Sequence, residues 1–590
     1  MRKFLQKIGS FKMEDAFSSY KNGMLNFITN HPELFCLSLL FLFCLFFLFL
    51  GIGHYPLMDV DETRYAVMAR DMLHAHNWNN LMLNGEPFLE KPPLYFWFVG
   101  LSIKLFQDFS AFAVRFPIAL ISSFLIFFTY YVGKRIISRK FGVISALVLL
   151  TSMFFLIFSH VAILDMVLTV FMTSAIYCAL LTQFCEEKNK KYYWWYFYLF
   201  IGMGFLAKGI LAFAIPFVVI FIYSLMTRTL KDFFKPLNLI PGMIIFLAII
   251  IPWHLVMYKE YGYEFVRQYF LMHHFARFMN SVSIGRERPF LYFVPVFLLG
   301  FLPWTFVFLS FIVDGIKKMT EKYKTTQGKL KEKLLALIEA NTNEQKLLLF
   351  FVINFVVIFL VFSSSSTKLP TYILPIFPAA SFLTGYYWWV GDEKKEHEKS
   401  TYNSTLLFSA ILLLAATAAL VGYYFLPLDL QLKMRSFNQV TIITIYMLSI
   451  LLVLRLNTKR ALSIFSGYIL TMVFVITLSV SQIFNLVYAG GENEIVNYSS
   501  ISANYKGNQQ LVTFDFAVKP SVMIEYEGKV NFLTDPDFKQ LDKLLEYKDG
   551  PTFVIVKNKN FKNNDKYKEE ITKRLALMKV GDKYSLYVKR

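Results

Sequence analysis

The stretch from Asp59 to Pro93, DVDETRYAVMARDML followed by LNGEPFLEKPP, gathers the residue types best suited to chemistry. Asp59, Asp61, Glu62 and Asp71 lie with Arg64 and Arg70 inside thirteen positions, and the pair Glu90-Lys91 then abuts two prolines. This stretch follows the first long apolar run, where a membrane chain leaves the bilayer. Ionised groups beside lipid are costly unless they face a cavity or one another. A carboxylate held there can take a proton or orient a substrate, and neighbouring cations can hold an anionic group. Each residue also has a plainer structural reading. Asp59 can cap a helix, with Glu62 three positions on as its capping partner. Asp61 can simply pair with Arg64 or Arg70, and Lys91 can snorkel to lipid headgroups. Helical spacing puts Asp61, Arg64, Tyr65 and Met68 on one face.

The elements that must position these groups follow from composition. The chain has 590 residues, 56% of them hydrophobic and 18% aromatic, with 65 Phe. Such a chain needs lipid as the solvent for most of its surface. The net charge of +19 falls in short loops between apolar runs, which argues against nucleic acid as the partner. Cys36, Cys44, Cys178 and Cys185 form neither a disulfide framework nor a zinc-ligand spacing. Residues 33–53 read as a retained membrane anchor, because HYPLMDVDE follows them in place of a small-residue cleavage site.

A spanning helix needs roughly 20 mostly apolar residues. About thirteen segments qualify: 33–53, 112–132, 141–158, 163–183, 192–207, 209–227, 238–256, 291–313, 347–363, 371–390, 404–424, 439–455 and 461–487. With the N-terminus in the cytoplasm, the loops GKRIISRK, EEKNKK, TRTLKDFFK, 314–346, DEKKEHEK and RLNTKR all fall inside, and almost every one is basic, as the positive-inside rule requires. Residues 92–107 do not fit the alternation, and read as a helix in the outer interface, with Pro92 and Pro93 in its first turn. The run YYWWYFY at 192–198 reads as an interfacial belt. The expected organisation is thus a polytopic α-helical membrane domain over 1–490, with 59–107 as its first periplasmic loop. Residues 491–590 turn polar and form a small periplasmic α/β domain with strands QLVTFDF, SVMIEY, KVNFL, TFVIVK and YSLYVK and an amphipathic helix DFKQLDKLLEY.

This topology sorts the charges. Asp61, Glu90, Lys91, Asp165, Lys208, His273, His274, Arg277 and Lys368 all come out near the outer face. GxGxxG and GxxxxGK[ST] are both absent, so no nucleotide-binding loop supplies energy. An enzyme working outside then needs a substrate that is already activated and already in the membrane, such as a lipid-linked phosphate.

Several separated motifs, in order, carry a resemblance. DVDETRYAVMARDML, LNGEPFLEKPPLYFWFVGLSIKLF, AVRFPIAL, LAKG at 206–209, HHFARF at 273–278, PFLYFVPVFLLGFLPW at 289–304 and STKLPTYILPIFP at 366–378 resemble the bacterial aminoarabinose transferases, the lipid A-modifying members of the protein mannosyltransferase-like group. The C-terminal domain matches in position and size alone. The resemblance implies a GT-C fold with its active site at the outer face of the bacterial inner membrane. It implies sugar transfer, by inversion, from undecaprenyl-phosphate aminoarabinose to a lipid A phosphate of lipopolysaccharide. Asp61 falls where the group places its catalytic carboxylate. Glu90 and Lys91 fall on its EKP motif, and Asp165 falls on a second outer-loop acid.

The residue types suit that reaction. Asp61 is the candidate base for a hydroxyl acceptor; toward an already anionic phosphate it would orient the acceptor instead. The polyprenyl phosphate leaves with growing charge, which fixed cations stabilise. Lys91, Arg277 and Lys368 are the leading phosphate ligands, with Arg64, Arg115 and Lys208 behind them and Tyr372 as a hydrogen-bond donor. His273 and His274, with Glu90, raise a divalent-metal site, although adjacent helical residues point about 100° apart. No other cofactor is expected. Two alternatives stand beside this reading: a protein O-mannosyltransferase-like enzyme, and a transporter or flippase of polyprenyl-linked sugars. The second lacks the internal repeat that transporters often carry.

Overall fold

The apolar runs of the chain form helices because, in lipid, every backbone N–H and C=O must be satisfied within the segment. The computed structural model describes residues 29–590 apart from 234–235, 277–287, 328–329, 331, 334–335, 337–338, 426–427, 459, 489–491, 506–507 and 561–564. All thirteen apolar segments fall on helices, or on pairs of helices separated by a short break. Among the described residues six helices are long and apolar enough to cross a bilayer alone: Pro32–Phe49, Ala111–Ile136, Leu164–Leu181, Leu239–Met272, Asn343–Ser364 and Glu398–Tyr424. A seventh span exists if Phe290–Gly300 and Thr305–Thr325, bent by 118°, are taken together. The protein is therefore a multi-pass membrane protein. The apolar segment 192–207 is part of a 22-residue helix, Glu187–Lys208.

The two ends of the bundle differ. One is laced by surface ion pairs that join successive helix ends, such as Lys134 and Arg139 to Glu33 at 2.6 and 3.2 Å, Lys394 to Glu344 at 2.9 Å and Lys318 to Glu396 at 3.0 Å. This is the basic end. The other end carries the stretch from 59 to 107 and the C-terminal domain, and is here termed the capped end.

At the capped end, Asp61–His74 is a helix of 14 residues. Its sequence lacks a β-branched run. Acids in its first turn and His74 in its last complement the helix dipole. It ends near His76, at φ 51°, and Asn77 accepts from the Asn79 and Asn80 N–H groups. A short hairpin follows, β1 (Met82–Leu83) against β2 (Glu86–Pro87). Asn84 and Gly85 at its tip both have positive φ, the conformation for which the Asn-Gly dipeptide is favoured. Leu94–Phe106 is then a helix, within the 92–107 read from the sequence but with Pro92 and Pro93 ahead of its first turn, and the rings of Tyr95 and Phe96 meet Tyr65 edge-on at 5.8 and 5.6 Å.

The C-terminal domain is built on a five-stranded sheet of β3 (Gln510–Phe514), β4 (Val530–Leu533), β5 (Thr552–Lys557), β6 (Leu575–Val580) and β7 (Tyr584–Lys589), in the order β4-β3-β5-β7-β6. β3 runs parallel to β4 and β5, and β7 is antiparallel to β5 and β6. Alternation sorts its side chains. Val512, Phe514, Val554 and Val556 pack under helices Phe538–Leu545 and Asp565–Arg574, while Leu511, Phe553 and Ile555 face Ile495, Val522, Met523 and Val67. Val67 belongs to the Asp61–His74 helix, so the first loop contributes to this domain's core. Two expectations change here. SVMIEY is not a strand: Pro520–Met523 is a 3-10 turn, with Pro520 at its first position, where the missing N–H and fixed φ suit the start of a turn. LALMKV, not read as a strand, forms the edge strand β6.

Candidate active site

The Asp61–His74 helix has two working faces. Its Asp61, Tyr65 and Met68 side points to the membrane bundle, and its Val67 and Arg70 side to the C-terminal domain. Asp61 is half-exposed and paired with Arg64, one of the two plain partners its spacing allowed. The Arg64 guanidinium lies over the rings of Tyr65 and Phe88, at 5.4 and 5.7 Å. Its Nε is buried without a hydrogen-bond partner among the described residues. Burial opposes the Arg64 charge, but Tyr65, Asp61 and Glu90 around it outweigh burial and raise its pKa. Glu90 therefore acts on the same group as Asp61. Tyr65 is buried, which raises its pKa, and the carboxylates of Asp61 and Asp165 raise it further.

Glu62 and Arg115 form the anchor beneath this face. Both are buried, Arg115 completely. Arg115 Nε and Nη2 donate to Glu62 Oε1 and Oε2 at 2.7 and 2.6 Å. Nη1 donates to the Ile52 and Tyr55 carbonyls and Nη2 to the Pro56 carbonyl, at 2.8 to 2.9 Å. These bonds use all five guanidinium donors. Glu62 also accepts from the backbone of Met58 at 2.8 Å and of Ala162 at 2.9 Å. Arg115, read from the sequence as a phosphate ligand, thus has no N–H left for one in this arrangement. Glu62 is not a capping partner of Asp59; it joins the first loop, the Ala111–Ile136 helix and the loop before Asp165. Asp59 caps nothing either: the helix starts after Val60 without a side-chain cap. Asp59 accepts instead from Thr63 Oγ1 at 2.6 Å, Ser521 N at 2.9 Å and Ser521 Oγ at 2.5 Å.

The second cluster joins two helix ends. Asp165 lies in the first turn of Leu164–Leu181, and Lys208 in the last turn of Glu187–Lys208. Each charge suits the dipole of its own helix. They form an ion pair, and Lys208 Nζ stands 4.6 Å from the centre of the Tyr372 ring. The LAKG motif explains the geometry. Gly209 ends the helix at φ 93°, ψ −150°, a region open to glycine, and so leaves Lys208 at the terminus. Lys368 is buried in the loop after Asn343–Ser364, and Nζ donates to the carbonyls of Ser365 and Arg288. Burial lowers its pKa. Glu90 and Lys91 are half-buried just before the Leu94–Phe106 helix.

Asp61 and Arg64 thus pair, with Glu90 near enough to act on the Arg64 charge, Asp165, Lys208 and Tyr372 come together, and Tyr65 stands within the field of Asp61 and Asp165. Arg277 lies outside the described residues, as do the side chains of His273 and His274, so the metal expectation on Glu90, His273 and His274 falls there too. Among the described residues no group of three His, Cys, Asp or Glu side chains is arranged to hold a metal. The sequence reading assigned no role to Asn84, whose amide pairs with the Val530 N–H and C=O at 2.9 Å and covers the edge of β4. The Asn-Gly dipeptide between short apolar runs was the available signal.

Comparison with known proteins agrees with the motifs. Residues 90–255 match the model of the dolichyl-phosphate-mannose-protein mannosyltransferase family. An undecaprenyl phosphate-alpha-4-amino-4-deoxy-L-arabinose arabinosyl transferase of Edwardsiella ictaluri is 30% identical over 336 residues, covering 56% of this chain and 55% of that protein. Its namesake in Yersinia enterocolitica is 28% identical over 351 residues, covering 59% and 58%. The alignment thus spans somewhat over half the length of these relatives. The crystal structure of ArnT from Cupriavidus metallidurans bound to undecaprenyl phosphate superposes with a TM-score of 0.73 at 18% identity, covering 94% of this chain and 97% of that one. Its apo state gives 0.71 at 19% identity. The chain is similar to the aminoarabinose transferases, as its motifs implied, and has the GT-C fold.

Proposed function

We propose that this protein is a glycosyltransferase that moves a sugar from a polyprenyl-phosphate carrier to lipid A or another envelope acceptor. The capped end is the periplasmic face of the bacterial inner membrane in this reading. The observation that carries it is the meeting of two carboxylate-cation clusters, Asp61-Arg64-Glu90 and Asp165-Lys208-Tyr372, at one end of a bundle with this fold. Asp61, half-exposed, takes the acceptor proton or orients an acceptor phosphate. Arg64 has a buried N–H that lacks an acceptor, and a phosphate oxygen is one that would remove that cost. Lys208, Lys91 and Lys368 are the other cations for the departing polyprenyl phosphate, and Tyr372 is a hydroxyl donor. Breakage of the glycosidic bond leaves its electron pair on the phosphate oxygen, and the acceptor oxygen takes the anomeric carbon from the opposite side. Arg115 is left out of this set because its donors are occupied. The match of 90–255 to the protein mannosyltransferase model favours a second reading, in which a protein hydroxyl is the acceptor.

Mass spectrometry of lipid A and of envelope glycans from wild-type, deletion and Asp61→Asn strains tests this. A sugar on lipid A that disappears in both mutants is expected. The same sugar on a protein selects the second reading, and no change in either fraction refutes both.

A further inference from the structure

The C-terminal domain grips the helix that carries Asp61 from the side opposite Asp61. About 100° per residue brings Val67 and Arg70 to one side of that helix and Asp61 to the other, and Asp59, just ahead of the helix, meets the C-terminal domain through Ser521. The grip is made on one short turn, Pro520–Met523. Asp59 accepts from Ser521 N and Ser521 Oγ at the start of that turn, with Lys519 Nζ at 3.6 Å. Arg70 Nη1 donates to the carbonyls of Met523 and Ile524 at its end, at 2.9 and 2.6 Å. The start of a helical turn exposes N–H groups and its end exposes C=O groups, so an anion and a cation meet complementary partners. Both side chains are nearly inaccessible, with 6% and 5% exposure. Val67 is buried between them in the domain core, and Asn84 holds the edge of β4.

We infer that Asp59 and Arg70 are positioning residues: through Ser521 and the carbonyls of Met523 and Ile524 the C-terminal domain fixes the Asp61–His74 helix, and with it the place of Asp61 against the bundle. This inference rests on the proposed glycosyltransferase reading. Loss of the grip leaves Lys208, at its own helix end, and Lys368, in its own loop, in place and displaces Asp61. A displacement of about 1 Å at a reacting group costs up to about a hundredfold in rate.

The test uses the full chain in lipid nanodiscs, with undecaprenyl-phosphate aminoarabinose as donor and lipid A as acceptor. Asp59→Asn, Ser521→Ala and the double variant are compared for kcat, donor KM and amide exchange over 61–74. The expected result is a kcat reduced about ten- to a hundredfold in each single variant, with donor KM changed less than about twofold. The double variant loses less than the sum of the two, because both substitutions disturb the one Ser521 Oγ–Asp59 bond. Exchange over 61–74 accelerates while that of the membrane helices does not, and Ser521→Thr restores kcat. Wild-type kcat in folded Asp59→Asn and Ser521→Ala protein, additive losses in the double variant, or unchanged exchange overturns the inference. If Asp59→Asn fails to fold, Ser521→Ala and Arg70→Lys decide. A wild-type chain that transfers no sugar refutes the aminoarabinose-to-lipid A form of the glycosyltransferase reading, and the exchange measurement then decides the grip by itself.

Discussion

Replacing Glu62 by Gln isolates the physics of the buried anchor, because the shape is kept and an acceptor becomes a donor. Glu62 Oε1 accepts from Arg115 Nε and Ala162 N, and Oε2 from Arg115 Nη2 and Met58 N, all between 2.6 and 2.9 Å. Whichever oxygen becomes an NH2, two donors lose their acceptor and face a third. A hydrogen bond to a charged group contributes about 1.5–3 kcal/mol, so two cost about 3–6 kcal/mol. Breaking a buried ion pair from one side costs a similar 3–5 kcal/mol or so. Glu62→Gln is therefore expected to destabilise the protein by about 4 kcal/mol. The neighbouring Asp61→Asn is expected to cost less than about 0.5 kcal/mol, since that carboxylate is half-exposed. The assay is equilibrium unfolding of the detergent-purified chain by graded SDS, followed by circular dichroism, on wild type and both variants. The two adjacent substitutions should separate: Glu62→Gln unfolds at much lower SDS, and Asp61→Asn unfolds with wild type. A Glu62→Gln free energy within about 1 kcal/mol of wild type would refute the anchor argument.

Three further outcomes follow from the site. Asp61→Asn protein, though folded, should lose most transferred sugar in a purified assay; full product removes Asp61 from the chemistry. Lys208→Met should weaken binding of undecaprenyl phosphate by roughly ten- to 150-fold, the equivalent of one charge-assisted hydrogen bond, measured as Kd by isothermal titration; unchanged Kd excludes Lys208 as a phosphate ligand. Burial lowers the Lys368 pKa, so its charge, and any attraction to phosphate, is present at low pH and is lost on raising pH below the ordinary lysine value of about 10.4. The same depression makes its charged form a cost to folding that is relieved across that window. Affinity for undecaprenyl phosphate should accordingly fall at an alkaline midpoint in wild type and stay flat to higher pH in Lys368→Arg; identical profiles would show that Lys368 does not bind the phosphate.

How far the site was legible depended on how local its determinants are. The apolar segments were readable because a span in lipid satisfies its own backbone, so composition over about twenty residues decides it. The shared face of Asp61, Arg64 and Tyr65 follows from helical periodicity, and the ion pair of Asp61 with Arg64 closes over a single turn. LAKG was readable as a motif, and its purpose, a glycine end that leaves Lys208 at a helix terminus, is also local.

The remainder was decided by tertiary structure. Glu62 looks like a capping acid until Arg115 arrives from 53 positions away, and Asp59 looks like a cap until Ser521 arrives from 462 positions away. Ser521 in turn lies in a run that reads as a strand by composition and is folded as a turn that starts at Pro520. A side chain's burial depends on what packs over it, and a short window of sequence does not contain that partner. The chain alone therefore told which charges lie near one end of a membrane bundle. The fold alone separated the buried, saturated Glu62-Arg115 anchor from the half-exposed Asp61 beside it, because that distinction is set by access to water and by partners distant in the chain.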